Sequence, residues 1–441
     1  MRRMLFLSFA VLLLSVLALG AFDLGGTIDN ATGLSHSGEL SFSQADKLSL
    51  WFAAGLGETL DFNIQGSYTF SLDRPYLFDL DHLKIGFKPF SALVITLGRF
   101  MVSDLSGKVL SHALDGLRIN LNLPFSVISI YGGYSGFFLN PNSTIVLTRA
   151  DDAHSSDSEV IFGPARVIGS VKVLFPDLLF RQDLTLTALL QWDLRPDIEV
   201  IQVGEEAESP DGLEGGKLDS QYFGLGLSGP LVRSLYYSSY FFVETGRTLS
   251  YMEDTESATG FSWSYQQVLS FMGGAGLSWY LEALLQSRLE LKGVWAGGDP
   301  DYSSFFEGNS SGGSSLFTPI SKIDTGLVFS PQMANLISLS LSYSIKPLSG
   351  IRSRALKNLQ TVIKGRAFFR PTIGPISVTG LDSASTELYL GTEVSGAINF
   401  RPLSDLGLAL SAGLFFPSSL VFLTDYQQMQ FLGRLEISYS F

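Results

Sequence analysis

The chain has 441 residues, no cysteine, 45 glycines, 34 phenylalanines and 16 tyrosines, with a formal net charge of −13. The lack of cysteine excludes a disulfide framework, a thiolate metal site, covalent haem attachment and acylation on cysteine. An acidic chain with no Lys/Arg cluster excludes nucleic acid as a partner. Mean hydropathy is +0.25 while only 16% of residues are charged. Beyond residue 20, however, no apolar run approaches the ~18 residues of a spanning helix. The hydrophobicity is dispersed as alternation.

In chain order, Met1-Arg2-Arg3-Met4 is a short basic start and Leu5 to Leu19 is an apolar run, followed by the small residues Ala18-Leu19-Gly20. This pattern predicts a cleaved secretory signal over residues 1–20, because the run is shorter than the ~20 residues of a spanning helix. Removing Arg2 and Arg3 from the net −13 leaves −15 on the mature chain, residues 21–441. Residues 22–56 accommodate two or three strands. Further on, Leu184, Leu186, Ala188, Leu190 and Trp192 alternate with Thr185, Thr187, Gln191 and Asp193. Leu289, Leu291 and Trp295 oppose Arg288, Glu290 and Lys292. Ile337, Leu339, Leu341, Tyr343 and Ile345 oppose four serines, at 338, 340, 342 and 344, and Lys346. Leu388, Leu390, Val394, Ile398 and Phe400 oppose Tyr389, Glu393, Ser395 and Asn399. Alternation of period two puts one face of each strand in grease and the other in water.

The final segment, Gln430 to Phe441, repeats the pattern, with Phe431, Leu435, Ile437, Tyr439 and Phe441 on one face and Arg434, Glu436, Ser438 and Ser440 on the other. A terminal aromatic behind alternating apolar residues resembles the assembly signal of bacterial outer-membrane β-barrels. That resemblance implies Leu435, Ile437, Tyr439 and Phe441 as the membrane-assembly signal, the barrel assembly machinery and outer-membrane lipid as partners, and the outer membrane as the location. The fold expected is all-β: one antiparallel up-and-down transmembrane barrel of about 18–20 strands, with short periplasmic turns and longer extracellular loops.

With Phe441 on the periplasmic side, strand parity assigns every connection. Tight Pro-containing turns at 122–124, 175–177, 229–230, 330–332, 371–375 and 401–403 fall in the periplasm. Long polar connections at 139–159, 195–217, 298–316 and 417–427 fall outside. The count requires residues 376–380 to form a short outward strand. No linker or charge block divides the chain, and no plug domain is expected ahead of the barrel.

Facing away from the apolar side are Arg118, Arg288, Lys292, Lys364, Arg366 and Arg434, and Asp193, Glu244, Glu290, Glu393 and Glu436. These are the expected lumen-lining charges. Six against five gives no net sign. A barrel of 16–18 strands leaves an aqueous pore, so such charges order water and field across a constriction. Gly98-Arg99-Phe100, followed after a loop by Asp115-Gly116-Leu117-Arg118, resembles porin and alginate-export-type barrels and implies that residues 102–112 fold inward as a constriction. The plainer reading of Arg99 and Asp115 is a solvated ion pair at the rim.

Trp192, Phe241, Trp295, Tyr343 and Tyr439 are placed as interfacial aromatics on the outer face, and Tyr131, Tyr240 and Tyr389 as the lumenal tyrosines. Acidic residues in the long loops, among them Asp151, Asp152, Glu205, Glu206, Glu253, Asp254, Asp299 and Asp301, are expected to concentrate cations at the outer mouth. His112 beside Ser111 and His154 beside Asp151 are the only neighbourhoods with catalytic residue types, and neither sits in a recognisable motif. No enzyme, cofactor or metal is therefore expected. The expected function is a porin-like channel or transporter for small solutes, with a non-conducting adhesin or structural barrel and a fatty-acid-type transporter as alternatives.

Overall fold

The computed structural model describes residues 22–72, 74–157, 160–195, 204, 216–302, 305–306 and 309–441. The predicted signal segment and the acidic stretch 205–214 lie outside the described residues. The first six strands are β1 (Phe22–His36), β2 (Leu40–Leu56), β3 (Leu60–Ser71), β4 (Leu77–Phe90), β5 (Leu93–Ser103) and β6 (Ser111–Leu123). The next six are β7 (Ser126–Tyr134), β8 (Arg166–Leu179), β9 (Gln182–Asp193), β10 (Leu218–Val232), β11 (Leu235–Glu253) and β12 (Phe261–Leu281). The last six are β13 (Ser287–Ala296), β14 (Leu336–Ile345), β15 (Gln360–Phe369), β16 (Tyr389–Phe400), β17 (Leu406–Pro417) and β18 (Gln430–Ser440). Each pairs antiparallel with its sequence neighbour, and β1 pairs with β18 from Thr27↔Ser440 to His36↔Phe431. The 18-stranded sheet is thus a closed barrel with no free edge, the form in which strands satisfy their backbone groups in lipid. Among the described residues, no helix is long and apolar enough to cross a membrane.

The alternation becomes a greasy exterior. Leu339, Leu341, Leu291, Val394 and Ile398 point outward and are exposed, as are Trp192, Phe241, Trp295 and Tyr439. The serines of β14 and the charges of β13 and β15 alternate with these exposed residues, in register with one another on the opposite face of the wall. Residues 22–56 form two strands. One expectation fails at β16. Phe368 pairs with Gly391 but Phe369 pairs with Tyr389, so Leu390 is an extra residue. This bulge turns Leu390 inward to full burial and Tyr389 outward to an exposed position, since an extra residue reverses the faces beyond it. Tyr389 is therefore not a lumenal tyrosine, whereas Tyr131 is buried on the lumenal side.

The predicted turns also need correction. Seven connections at the Phe441 end span only two to five residues, for example 180–181, 233–234 and 401–405; the eighth, 346–359, carries a single helical turn at Arg354–Lys357. Pro331 and the stretch 371–375 lie instead in the opposite-end connections 297–335 and 370–388. Residues 376–380 form no strand, and Ile376 is buried in the core. The cause is burial: these connections dip into the barrel and carry apolar residues, so they imitate strands and turns in the sequence.

Five connections at that end send residues inward, 104–110, 135–165, 297–335, 370–388 and 418–429, the last with Val421 and Phe422. Val109, Leu110, Ile145, Phe317, Ile320, Phe329, Met333 and Ile376 from these loops pack with the wall residues Phe100, Tyr222, Phe242, Met272, Phe368, Leu390 and Phe415. An 18-stranded barrel is too wide for its own wall side chains to fill. The loops supply the missing core.

Candidate functional site

The lumen narrows where these loops meet the wall, and a small set of buried charges fixes each loop. Loop 104–110 closes on Asp104, whose Oδ1 accepts from the backbone N–H of Val109 (3.1 Å) and Leu110 (2.9 Å). The predicted inward fold of residues 102–112 is present. Loop 135–165 contains α1 (Arg149–Ser156), opened by a capping box between Thr148 and Asp151. Asp151 Oδ2 also accepts from Arg166 Nη2 at 2.7 Å. Arg166 reaches Asp193 at 3.3 Å, and Arg195 Nη2 meets Asp193 at 2.5 Å. All four side chains are buried. Asp193 is thus consumed in pinning a loop, and Asp151 belongs to this network rather than to an acidic outer surface.

Arg99 and Asp115 form a bidentate pair at 2.9 and 2.7 Å. Arg99 is buried, donates to the carbonyls of Leu80 and Phe137, and lies over the Phe138 ring. The pair sits at the rim, but it is a buried clamp on loop 135–165 and not a solvated contact. His112 Nδ1 is within 3.0 Å of Thr144 Oγ1, and its ring packs edge-on to Phe138. Asp299, taken above as an outer-surface acid, is buried and accepts the backbone N–H of Ser315 at 2.8 Å. Among the described residues, no cluster of three or more His, Asp or Glu side chains could hold a metal ion.

Loop 297–335 is held by two carboxylates, each 0% exposed. Glu244 on β11 accepts the N–H of Thr318 at 2.8 Å and a hydrogen bond from Tyr222 Oη. Glu393 on β16 accepts the N–H groups of Leu327 (3.0 Å), Val328 (2.8 Å) and Phe329 (3.1 Å) and pairs with Arg366. Phe329 then stacks on Phe415 with centroids 4.2 Å apart.

This pairing takes predicted lumenal charges of both signs out of play, Arg366 among the cations as well as three of the anions. Asp193, Glu244 and Glu393 are spent on loops and buried arginine. Glu290 is shared by Arg288 and by Lys292 at 2.9 Å, and Glu436 lies 3.8 Å from Arg434. Arg118 stacks on the Phe100 ring at 4.3 Å. The cation sequence reasoning missed is Lys108, because it lies in a loop and not on an alternating strand. Its Nζ donates to the carbonyl of Asp324, at 3.4 Å. Burial, then the nearby Arg366 and Lys292, hold its ammonium below the ordinary lysine range. Lys364 lies two residues before Arg366 on β15 and across Ser342 of β14 from Glu290. Lys108 and Lys292 face a recess of ≈ 280 Å³ with Ser228, Ser238, Ser239 and Tyr240. Nearer the Phe441 end lies a wider cavity of ≈ 680 Å³, lined among others by Asp29, Lys47, Thr69, Asn399 and Glu436.

At the chain end, Leu435, Tyr439 and Phe441 are exposed on the outer face. Phe441 exchanges backbone hydrogen bonds with Gly26, both at 3.0 Å. A Cβ at Gly26 would lie 2.6 Å from the Phe441 ring, so the bare glycine makes the seat for the terminal aromatic.

Fold and lumen together define a wide transmembrane β-barrel whose outer loops constrict its own bore. Solved structures with this architecture include Pseudomonas aeruginosa OccK2 (OpdF) in complex with glucuronate, which is 13% identical with a TM-score of 0.56 over 95% of this chain and 97% of that one. Pseudomonas aeruginosa OpdL is 12% identical with a TM-score of 0.56, over 95% and 98%. The outer-membrane protein OpdK of the same organism is 13% identical with a TM-score of 0.54, over 96% and 98%. No protein-family model matches the chain, and no curated protein matches it.

Proposed function

We propose that this protein is an outer-membrane channel for small solutes with a preference for anions. The observation that carries the reading is a local excess of cations: Lys108 and Lys292 line one recess, and Lys364 and Arg366 lie two strands away on the same face, while the carboxylates beside them are Glu290, shared by Arg288 and Lys292, and Glu393, which is buried against Arg366 and three backbone N–H groups. An excess of one sign of charge lining a narrow bore raises the local concentration of the opposite ion. The recess beside Lys108 and Lys292 has hydroxyl-bearing walls from Ser228, Ser238, Ser239 and Tyr240. That pairing of ammonium and hydroxyl groups suits a small hydroxylated carboxylate. The glucuronate bound by OccK2 is of this chemical kind. No step in this reading requires an enzyme.

The test is a planar-bilayer recording across a salt gradient. The wild-type reversal potential should lie on the anion-selective side. Lys108→Ala combined with Lys292→Ala and Lys364→Ala should move it towards cations. A folded barrel with no conductance would favour the non-conducting surface barrel instead, and an unmoved reversal potential would end the anion assignment.

A further inference from the structure

Residues 324–331 form a compact knob inside the lumen. Thr325 N–H donates to Ser330 Oγ at 2.9 Å, Thr325 Oγ1 donates to the carbonyl of Pro331 at 2.8 Å, and Ser330 Oγ donates to Asp324 Oδ1 at 3.2 Å. The knob is therefore closed on itself and is anchored at three places. One is Phe329, which stacks on Phe415 and packs edge-on against Phe368 and Phe422. Another is a notch at Gly413 on β17, where a Cβ would lie 2.9 Å from Val328 and 3.1 Å from Leu327. The third is Glu393, whose carboxylate gathers three consecutive backbone N–H groups. Successive N–H groups converging on one point form an anion nest. Here the nest is filled by the wall's own carboxylate. On the loop side of the knob lies a cavity of ≈ 450 Å³ bounded by Val328, Phe329, Ser330, Thr379, Tyr426 and Gln430. There is thus space for the knob to leave the wall.

We propose that Glu393 is the residue that sets the bore of the channel, acting as a built-in anion that latches the 324–331 knob across the lumen. This rests on the channel reading above. The carboxylate supplies the charge that the nest needs, and Arg366 compensates it from the opposite side. Without it, three N–H groups are left without their carboxylate partner, and the Phe329 ring cluster and the glycine notch are what remain to hold the knob. The bore then widens on the side of β15 to β17.

The experiment is a size series of neutral polymers passed through the reconstituted protein, read as single-channel conductance and as the polymer size that no longer enters. Glu393→Ala should increase occupancy of a wide level on the order of a hundred-fold, given three lost charge-assisted hydrogen bonds, and should admit larger polymers. Formate at millimolar concentration should refill the nest and restore the narrow level. A purely structural role for Glu393 would show no such chemical rescue. If Glu393→Ala does not assemble, Glu393→Gln carries the test, with a partial shift expected because the amide keeps shape but loses charge. A folded variant with the wild-type size limit would overturn the latch. A silent wild type beside a conducting Glu393→Ala would keep the latch and make the resting protein a closed channel. Silence of both would overturn both readings.

Discussion

Replacing Arg166 by Met isolates the buried charge network that holds loop 135–165. Arg166 is 0% exposed and bridges Asp151, in α1, to Asp193, on β9. Removing one partner of a buried ion pair costs about 3–5 kcal/mol because the other charge stays buried. Two features offset part of this. Asp193 keeps Arg195 at 2.5 Å, and Asp151 keeps the backbone N–H groups of Leu147 and Thr148 at 3.0 and 3.1 Å. The lower end, about 3 kcal/mol, raises the detached-loop population on the order of a hundred-fold. The barrel wall itself should keep its resistance to heat and detergent, since its ladder hydrogen bonds are untouched. Trypsin cleavage after Arg149 reports the detached state when opening is fast compared with cutting. The cleavage rate should therefore rise about a hundred-fold in Arg166→Met. A rate within a few-fold of wild type would show that the network does not hold the loop.

The outer and inner faces of β14 should answer oppositely to charge. Leu341→Arg puts a cation in lipid and should cost about 2–4 kcal/mol in denaturant unfolding from bilayers. One residue earlier, Ser340→Glu faces Lys292 and Arg366 across the register; its stability should change by no more than about 1 kcal/mol while anion preference falls. Equal costs at the two positions would mean the faces are misassigned. Deleting Phe441 should block assembly into the membrane, and Gly26→Val should slow it, because the new side chain would occupy the seat of the terminal ring. Normal levels of heat-modifiable barrel in both variants would end the assembly role of Phe441.

Much of this architecture is written in local sequence. Side chains alternate faces in any strand, so β9, β13, β14 and β18 announce one apolar and one polar side without reference to anything distant. Even the inward loops leave a trace. The lumenal faces of β5, β6, β10 and β11 turn apolar towards their loop ends, at Phe100 and Val102, Leu114, Tyr222 and Phe242. A strand greasy on both sides there must be covered from within. What alternation cannot register is a bulge, since one additional residue at Leu390 exchanges the faces of everything beyond it. Nor does it register a loop that behaves like a core, which is why Pro331 and residues 376–380 were given to turns and a strand.

Pairing of charges is the property that only the tertiary structure decides. Except where a bulge intervenes, as at Leu390, the face a residue takes depends on a period of two along one strand and is legible locally. That reading leaves six cations against five anions, with no decisive sign. Whether a lumenal carboxylate faces solute or is spent on a loop depends on contacts between residues far apart in the chain, such as Glu393 with Leu327 to Phe329 and Asp193 with Arg166. Folding buries those anions against partners, because an unpaired buried charge is costly. The remaining lumen is then biased towards Lys108, Lys292 and Lys364.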